Sequence, residues 1–318
     1  DNIDMKSTPE GLNKLFEVNL ISRQSKNERI HEININNVKT YKNIFSFIYG
    51  VVKSFHQSKS KYLIISITPF TFLSCVVLAL CKKKPIVYLR SDGYSEYKSI
   101  LGKFGPFIYH VMFTIVSKIS YFISCRKYIL KGKTGDIVYP SRLNKKWFQN
   151  TKKLLINEVK LLYVGRLKIE KGIFSLIDLI KKNNQNMTLS IVGAEKNYNK
   201  SINHENIQVY EIEQNEEALI KLYDEHDIFV LPSFTEGHPM ALLEALSRLR
   251  PVIIFSEIEH VIGEKKGIFV AQRTSKSFFE RVKYIKENYI NIQHDMKENQ
   301  LPTKDDYLKK FGDLISSS

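Results

Sequence analysis

An α/β fold of two lobes, each built on a doubly covered parallel sheet, is what this sequence predicts. Three observations point to it: short strands that are apolar throughout, helical patterns alternating with them, and a length of 318 residues, about two domains at ~150 residues each. Strands buried on both faces lose the polar alternation of a half-exposed sheet, and crossovers between parallel strands require intervening helices.

In the first half, the order begins with a helix near Gly11–Ser22 and a strand at His31–Ile35. A helix follows at Tyr41–Gln57, then a strand at Tyr62–Ile67, a helix to Cys81 and a strand at Pro85–Leu89. Helix 106–118 and strands 121–124 and 136–139 complete it. The second half repeats the theme with strand 159–164, helix 172–182, strands 187–192 and 206–210, helix 215–225, strand 228–231, helix 239–248, strands 251–255 and 267–270, and helix 275–290. Both halves are thus Rossmann-like. The polar runs around Trp147–Asn157 mark a seam, giving lobes at 1–150 and 151–302, and the amphipathic segment from Thr303 to Ile315 within 303–318 is expected to cross back onto the first lobe.

Two stretches imitate membrane spans. Tyr62–Cys81 carries no charge, but Pro69 divides it into a strand, a turn and a helix. Phe104–Cys125 carries only Lys118; Ser117 to Ser120 break it, and its helix from Pro106 to Val116 is aromatic enough either to lie in a bilayer interface or to serve as a core helix.

With 43% hydrophobic and 25% charged residues the chain is globular rather than disordered or collagen-like. Cys75, Cys81 and Cys125 form no CxxC pair, so neither a disulfide framework nor a cysteine zinc site is indicated, and a reducing cytoplasm is the expected compartment. Because the chain opens Asp1-Asn2-Ile3 without a methionine, a short preceding piece is expected. The net charge of +15 lies in one half: residues 1–150 hold 24 Lys and Arg against 9 acids, while 151–318 hold 24 of each. A field so one-sided predicts a polyanionic partner for the first lobe, either an anionic bilayer surface on the inner face of the plasma membrane or a phosphorylated substrate. Nucleic acid is not expected, because no C2H2 spacing or RNP1-like run occurs.

Open parallel sheets bind ligands beyond the carboxyl ends of their strands. Strand 159–164 ends in Gly165-Arg166-Leu167-Lys168-Ile169-Glu170-Lys171-Gly172. There Gly165 permits a tight turn, and Arg166 and Lys171 suit diphosphate oxygens. Strand 228–231 runs into Pro232-Ser233-Phe234-Thr235-Glu236-Gly237-His238-Pro239-Met240 and then Glu244. Pro239 is tolerated in a first helical turn, Gly237 lets the backbone approach a ligand, and the first-turn amides make an anion site. Glu236 and Glu244 beside that site repel phosphate but accept hydroxyls well, so they suit ribose or sugar OH groups. Each loop alone also reads as ordinary surface: a basic turn at 165–172, a first-turn acid at Glu236, a helix-face acid at Glu244.

The runs Tyr163-Val-Gly-Arg166-Leu-x3-Lys171-Gly172, Ile191-Val-Gly193 and Ile228 through Glu236-Gly-His-Pro-Met-Ala-Leu-Leu-Glu244 to Arg250-Pro251-Val-Ile closely resemble the retaining group 1 glycosyl transferases of family 4. The resemblance is specific over 159–272 and looser over 1–158. It implies a GT-B fold, with two Rossmann-like lobes facing across a cleft, and a nucleotide-diphosphate-sugar held mainly by the C-terminal lobe. By the same resemblance Gly165, Arg166, Lys171, Gly193, Glu236, Gly237, His238, Pro239, Met240 and Glu244 bind the donor. Arg166 and Lys171 take the diphosphate, Glu244 the ribose hydroxyls, and Glu236 faces the donor sugar; Glu236, Arg166 and Lys171 are the catalytic candidates. A glycan or lipid-linked acceptor would lie on the N-terminal lobe.

The family's histidine after the strand matching Pro85–Leu89 is replaced by Arg90-Ser91-Asp92, which leaves Arg90 and Asp92 as acceptor-side candidates, with Asp92 equally an Asx-turn starter. The glycine-rich first loop shrinks to Pro9-Glu10-Gly11-Leu-Asn-Lys14, so Gly11 and Lys14 are the remaining candidates there, and Arg250 stands where glycine is common. No DxD or HExxH occurs and none of the 8 histidines pairs at metal-ligand spacing, so a metal-independent transfer with no cofactor beyond the sugar nucleotide is expected. Lys131-Gly-Lys133-Thr134 lacks the glycine that a P-loop needs at 127. Cell-surface polysaccharide or lipid-linked glycan assembly fits these expectations. A nucleotide-sugar 2-epimerase and a nonenzymatic nucleotide-sugar-binding assembly subunit are the alternatives, separated by product formation without acceptor and by binding without turnover.

Overall fold

The computed structural model describes residues 3–24, 33–56, 60–152, 158–182, 187–194, 202 and 204–318. It divides into one unit of residues 1–142 with 304–318 and another of residues 143–303.

The first unit opens with α1 (Ile3–Leu12), a parallel pair of strands, β1 (Asn19–Arg23) and β2 (Asn37–Tyr41), and α2 (Ile44–Lys53). A parallel sheet follows in the order β3 (Leu63–Ile65), β4 (Ile86–Leu89), β5 (Tyr121–Ser124), β6 (Asp136–Ile137), with α3 (Pro69–Leu80), α4 (Gly93–Leu101) and α5 (Gly105–Ile119) between its strands. Alternation along the central strand decides what each face meets. Val87 and Leu89 pack with α2, α3 and α5 through Phe47, Val51, Cys75, Leu78, Met112 and Phe113. Burial pushes the Cys75 thiol there up to about 12, so it behaves as an apolar core group.

The second unit carries a wholly parallel sheet of β7 (Val159–Val164), β8 (Met187–Ala194), β9 (Ile207–Glu211), β10 (Ile228–Leu231), β11 (Val252–Phe255) and β12 (Ile268–Ala271), in the order β12-β11-β10-β7-β8-β9. Around it lie α6 (Ile173–Lys181), α7 (Glu216–Glu225), α8 (Met240–Ser247), α9 (Ser275–Glu287) and α10 (Tyr289–Met296). Every residue of β10 and β11 is buried, as apolar runs covered on both faces must be.

The segment from Leu143 belongs to this unit for a definite reason. Trp147 is 1% exposed within its core, and Arg248 donates to the carbonyls of Trp147 at 3.0 Å and Gln149 at 2.7 Å while pairing with Asp224 at 2.7 Å. Arg250, also buried, reaches the Lys152 carbonyl and the Tyr289 hydroxyl at 3.2 Å. The residue that breaks α8 is its neighbour Leu249, left-handed at φ 56°, which lets Arg250 N–H bond the Ala245 carbonyl at 2.9 Å and Leu249 N–H the Leu246 carbonyl at 3.0 Å.

The chain closes with α11 (Lys304–Ser317), which packs on the other face of the first unit's sheet: Tyr307, Leu308, Phe311 and Ile315 meet Ile86, Tyr88, Ile123 and Val138.

Several sequence expectations shift. The helix expected over Gly11–Ser22 ends at Leu12, because the chain turns at Asn13, whose side chain accepts Val18 N–H at 3.2 Å, and residues from Asn19 enter β1. Of the strand expected at His31–Ile35, residues 31 and 32 lie outside the described residues, and β2 begins only at Asn37. Residues 153–157 of the expected seam, and Asp1 and Asn2, likewise lie outside them. The helix expected over 275–290 divides at Asn288, whose φ/ψ of −113°/13° is not helical. Helix α4 was not expected at all; Asp92 starts it by accepting Tyr94 N–H at 3.1 Å.

Candidate functional site

In the second unit β7, β8 and β9 run outward in one direction and β10, β11 and β12 in the other, so the strand order reverses between β7 and β10. A crevice forms beyond the carboxyl ends at such a reversal. The two motif loops, 165–172 after β7 and 232–239 after β10, emerge on either side of it.

They are packed onto one another. Phe234 N–H donates to the Glu170 carbonyl at 3.0 Å. Gly172, at φ 65°, passes so close to the other loop that a Cβ would stand 1.8 Å from the Pro232 carbonyl oxygen, so only glycine fits. Gly193 plays the same part beside β7, where a Cβ would stand 2.0 Å from the Gly165 oxygen. Burial, and then the charge of Glu236, pushes the Tyr163 hydroxyl well up, so it stays protonated and donates to the Arg166 carbonyl at 2.8 Å.

Glu236 is the centre of the arrangement. Its Oε1 accepts from Lys171 Nζ at 2.6 Å and from Ser233 Oγ at 2.6 Å, and its side chain is 9% exposed against 22% for Lys171. His260, following β11, lies with Nε2 2.8 Å from the Glu236 carbonyl, and since a carbonyl only accepts, that nitrogen carries the proton. Gly237 and His238 are half-buried, and Pro239 lies one position before α8 rather than in its first turn, at φ −74° and ψ 112°. No side chain caps α8, so the amides that follow Pro239 keep their positive end for an anion. Met240 is its first helical residue.

Glu244 sits one turn further in and is 0% exposed; its Oε2 accepts the Tyr223 hydroxyl at 2.9 Å. The structure therefore brings Gly165, Arg166, Lys171, Gly193, Glu236, Gly237, His238, Pro239 and Met240 to the carboxyl end of the sheet, with Glu244 buried in the first turns of α8 that follow them.

Arg273, just past β12, was missed by sequence reasoning. Its guanidinium lies 4.0 Å from the Phe234 ring centroid and 4.4 Å from that of Phe255, donates from Nε to Glu257 at 2.8 Å, and brings Nη2 to 3.4 Å from the Ser233 carbonyl. That hydrogen bond holds the Glu257 carboxyl below its ordinary range. The only signal in the sequence was an arginine at a strand's carboxyl end, far from either motif.

In the first unit, Arg90 and Asp92 follow the central strand β4. Asp92 caps α4 and pairs with Lys131 at 3.0 Å, so it serves the local structure. Gly11 is not in a loop: it lies in α1, where a Cβ would strike Leu308 of α11 at 2.5 Å. Lys14 is exposed on the following turn and joins Gly11 in lining a groove of about 420 Å³ beside α11. Among the described residues, no three His, Cys, Asp or Glu side chains cluster as metal ligands would.

Residues 145–301 match the family profile for glycosyl transferases group 1. No curated protein matches the chain. Among solved structures, the sucrose-phosphate synthase of Thermosynechococcus elongatus is 16% identical with a TM-score of 0.69, covering 99% of this chain and 92% of its own. HepE of Anabaena, in complex with UDP, is 14% identical with a TM-score of 0.68 over 90% of this chain and 87% of its own. The lipopolysaccharide outer core galactosyltransferase WaaB is 17% identical with a TM-score of 0.60 over 88% and 84%. At these identities the likeness establishes the fold, which is that of the GT-B glycosyltransferases.

Proposed function

We propose that this chain, whose residues 145–301 form a group 1 glycosyl transferase domain, moves a sugar from a nucleotide diphosphate to an acceptor hydroxyl, with retention at the anomeric carbon and no metal ion. The observation that carries the reading is the locked pair of loops at the strand reversal, where Lys171 and Glu236 meet at 2.6 Å beside the uncapped start of α8. A diphosphate bound there meets Arg166, Lys171 and the α8 amides, which are fixed before the reaction and stabilise the charge that grows on the leaving group. Glu236, held by Lys171 and Ser233, accepts hydroxyls of the donor sugar. Glu244 is assigned to the ribose, and Tyr223 orients it.

A UDP-sugar is the first donor to test, since HepE has been captured with UDP-glucose. The acceptor is assigned to the first unit, on the Arg90 side, and a surface polysaccharide or lipid-linked glycan is the acceptor class proposed. Incubation with a labelled UDP-sugar and lipid or glycan extracts in the presence of a chelator tests the reading. It expects a labelled product whose new linkage has the donor's anomeric configuration by NMR. Label in no acceptor, or inverted product, would count against it.

A further inference from the structure

Helix α5 is apolar on both sides. Its inner side buries Tyr109, Met112, Phe113 and Val116. Its outer side carries Phe107, Ile108, Val111 and Ile115, preceded by Phe104; these fall three, four, seven and eleven positions after Phe104, one continuous stripe, and Phe104 and Phe107 are 78% and 69% exposed. The end of α4 adds Ile100, 71% exposed, and Leu101. The polar side chains of α5, His110, Thr114, Ser117 and Lys118, form one narrow stripe between these two sides, and the outer apolar side is left uncovered.

Its neighbours repeat the pattern. Helix α3 packs against both α5 and α2. Helix α2 presents Phe45, Tyr49 and Val52 outward, and α3 presents Leu73 and Leu80. Single exposed apolar residues are unremarkable, but a layer of adjacent helices with outward apolar stripes is a contiguous patch that calls for a partner.

Charge selects the partner. Residues 33–135, which contain all these helices, hold 16 Lys and Arg and only 2 acids, Asp92 and Glu96. Lys42 and Lys53 flank α2, and Lys98, Lys103 and Lys118 flank the α4–α5 patch, all of them exposed. A second copy of this face would set cations against cations. An anionic bilayer offers both what the aromatic side chains need and what the lysines need.

The patch lies on a membrane rather than crossing it. Residues 93–119 pass by length and composition as a span, but Gly102, at φ 63° and ψ −143°, ends α4, and Gly105 comes so close that a Cβ would stand 1.9 Å from the Tyr97 oxygen. The two helices fold back as a hairpin, with the Tyr94 and Tyr109 rings 4.9 Å apart and the Tyr94 hydroxyl 2.9 Å from His110 Nδ1. At ~1.5 Å per residue, the 15 residues of α5 reach about 22 Å, short of a ~30 Å hydrocarbon core.

We propose that the outer face of α2, α3 and α5 docks the protein on an anionic lipid bilayer, with Ile100, Leu101, Phe104 and Phe107 at the hairpin tip entering the headgroup region. The proposal does not depend on the glycosyltransferase reading, and its test uses no sugar nucleotide.

The full chain is sedimented with phosphatidylcholine vesicles, with and without about one quarter phosphatidylglycerol, at low and raised salt. Binding is expected only to the anionic vesicles and to weaken as salt rises. The triple variant I100S, F104S, F107S is expected to lose at least tenfold in partitioning with an unchanged circular dichroism spectrum, and Lys98→Gln with Lys103→Gln to lower both affinity and salt dependence. Phe104→Trp supplies a second readout, quenching by brominated lipid. The proposal is overturned by absence of vesicle binding, by binding that the triple variant retains, by an unquenched Trp at 104, or by a dimer in solution that the triple variant dissolves, which would assign the face to a second copy.

Discussion

Lys171 Nζ and Glu236 Oε1 lie 2.6 Å apart, and each belongs to a different strand's exit loop. Their pairing fixes the distance between the two loops on which the donor reading depends. Removing Lys171 takes away one cation for the diphosphate and leaves the largely buried Glu236 carboxylate without its paired cation, with Ser233 still donating to it. Lys171→Ala is therefore expected to weaken nucleotide-sugar binding by roughly tenfold to a hundredfold, on the order of 1.5–3 kcal/mol for a charge-assisted hydrogen bond. Glu236→Gln, which keeps the shape, should retain more of the nucleotide affinity while losing turnover. The split between binding and rate in the two variants checks it.

Arg273 supports that geometry from the side, held between Phe234 and Phe255. Because stacking on a ring face contributes about 0.5–2 kcal/mol and depends on the planar guanidinium, Arg273→Lys should behave more like Arg273→Ala than like the parent. Nucleotide-sugar affinity and thermal midpoint are both expected to fall in the two variants, and parent-like affinity in the lysine variant would limit Arg273 to a charge role.

Arg248 holds the second unit's entry segment. It is 1% exposed and shared between the Asp224 carboxylate and the carbonyls of Trp147, Gln149 and Asn150. Truncation leaves the buried Asp224 the longer 3.9 Å pair to Arg250 and frees the carbonyls that Arg248 held, so Arg248→Ala is expected to cost about 3 kcal/mol. Trp147, the single tryptophan, sits against this cluster, and its fluorescence in a urea titration follows the unfolding directly.

His226 gives the second unit a defined pH response. Burial lowers its folded pKa below the ordinary 6.5, and its Nδ1 sits 2.6 Å from the Leu222 carbonyl. The unfolded chain therefore takes up a proton first as pH falls. Stability supplied by the neutral ring is present above about 6.5 and is lost as the pH drops from there towards the folded value. Asp227 has the opposite sign, because its folded pKa is raised by burial above 3.8, so its contribution grows only at more acid pH. Urea midpoints between pH 7.5 and 5.5 should fall, and His226→Asn, which keeps a donor for Leu222, should flatten the fall.

Much of the fold was legible where burial dictates composition. The runs Val159–Val164 and Ile228–Leu231, short and bounded by polar residues, glycine or proline, read as strands, and both occur with those bounds, wholly buried in the second and interrupted by exposed Lys160 in the first. Polar, aromatic α4 was not legible, since in its nine residues Gly93 is the one buried residue and Tyr94 and Tyr97 depend on Tyr109 of α5 for cover. In the candidate site the motif residues could be named, but not their partners. Tyr223, His260 and Arg273 reach Glu244, Glu236 and Phe234 only because the strand order brings distant segments together, and no local pattern encodes that order; Ser233, three residues before Glu236, is a local partner. Gly11 shows the reverse, a residue whose local look of a loop was overridden by the packing of α1 on α11.

Calorimetric titration of the full chain with UDP-, GDP-, ADP- and CMP-sugars, with Lys171→Ala and Glu244→Ala in parallel, tests the central claim most directly. The account predicts binding of one nucleotide class that both substitutions weaken by tenfold or more. Binding that neither substitution alters, or binding of none of the sugars by the folded parent protein, would contradict it.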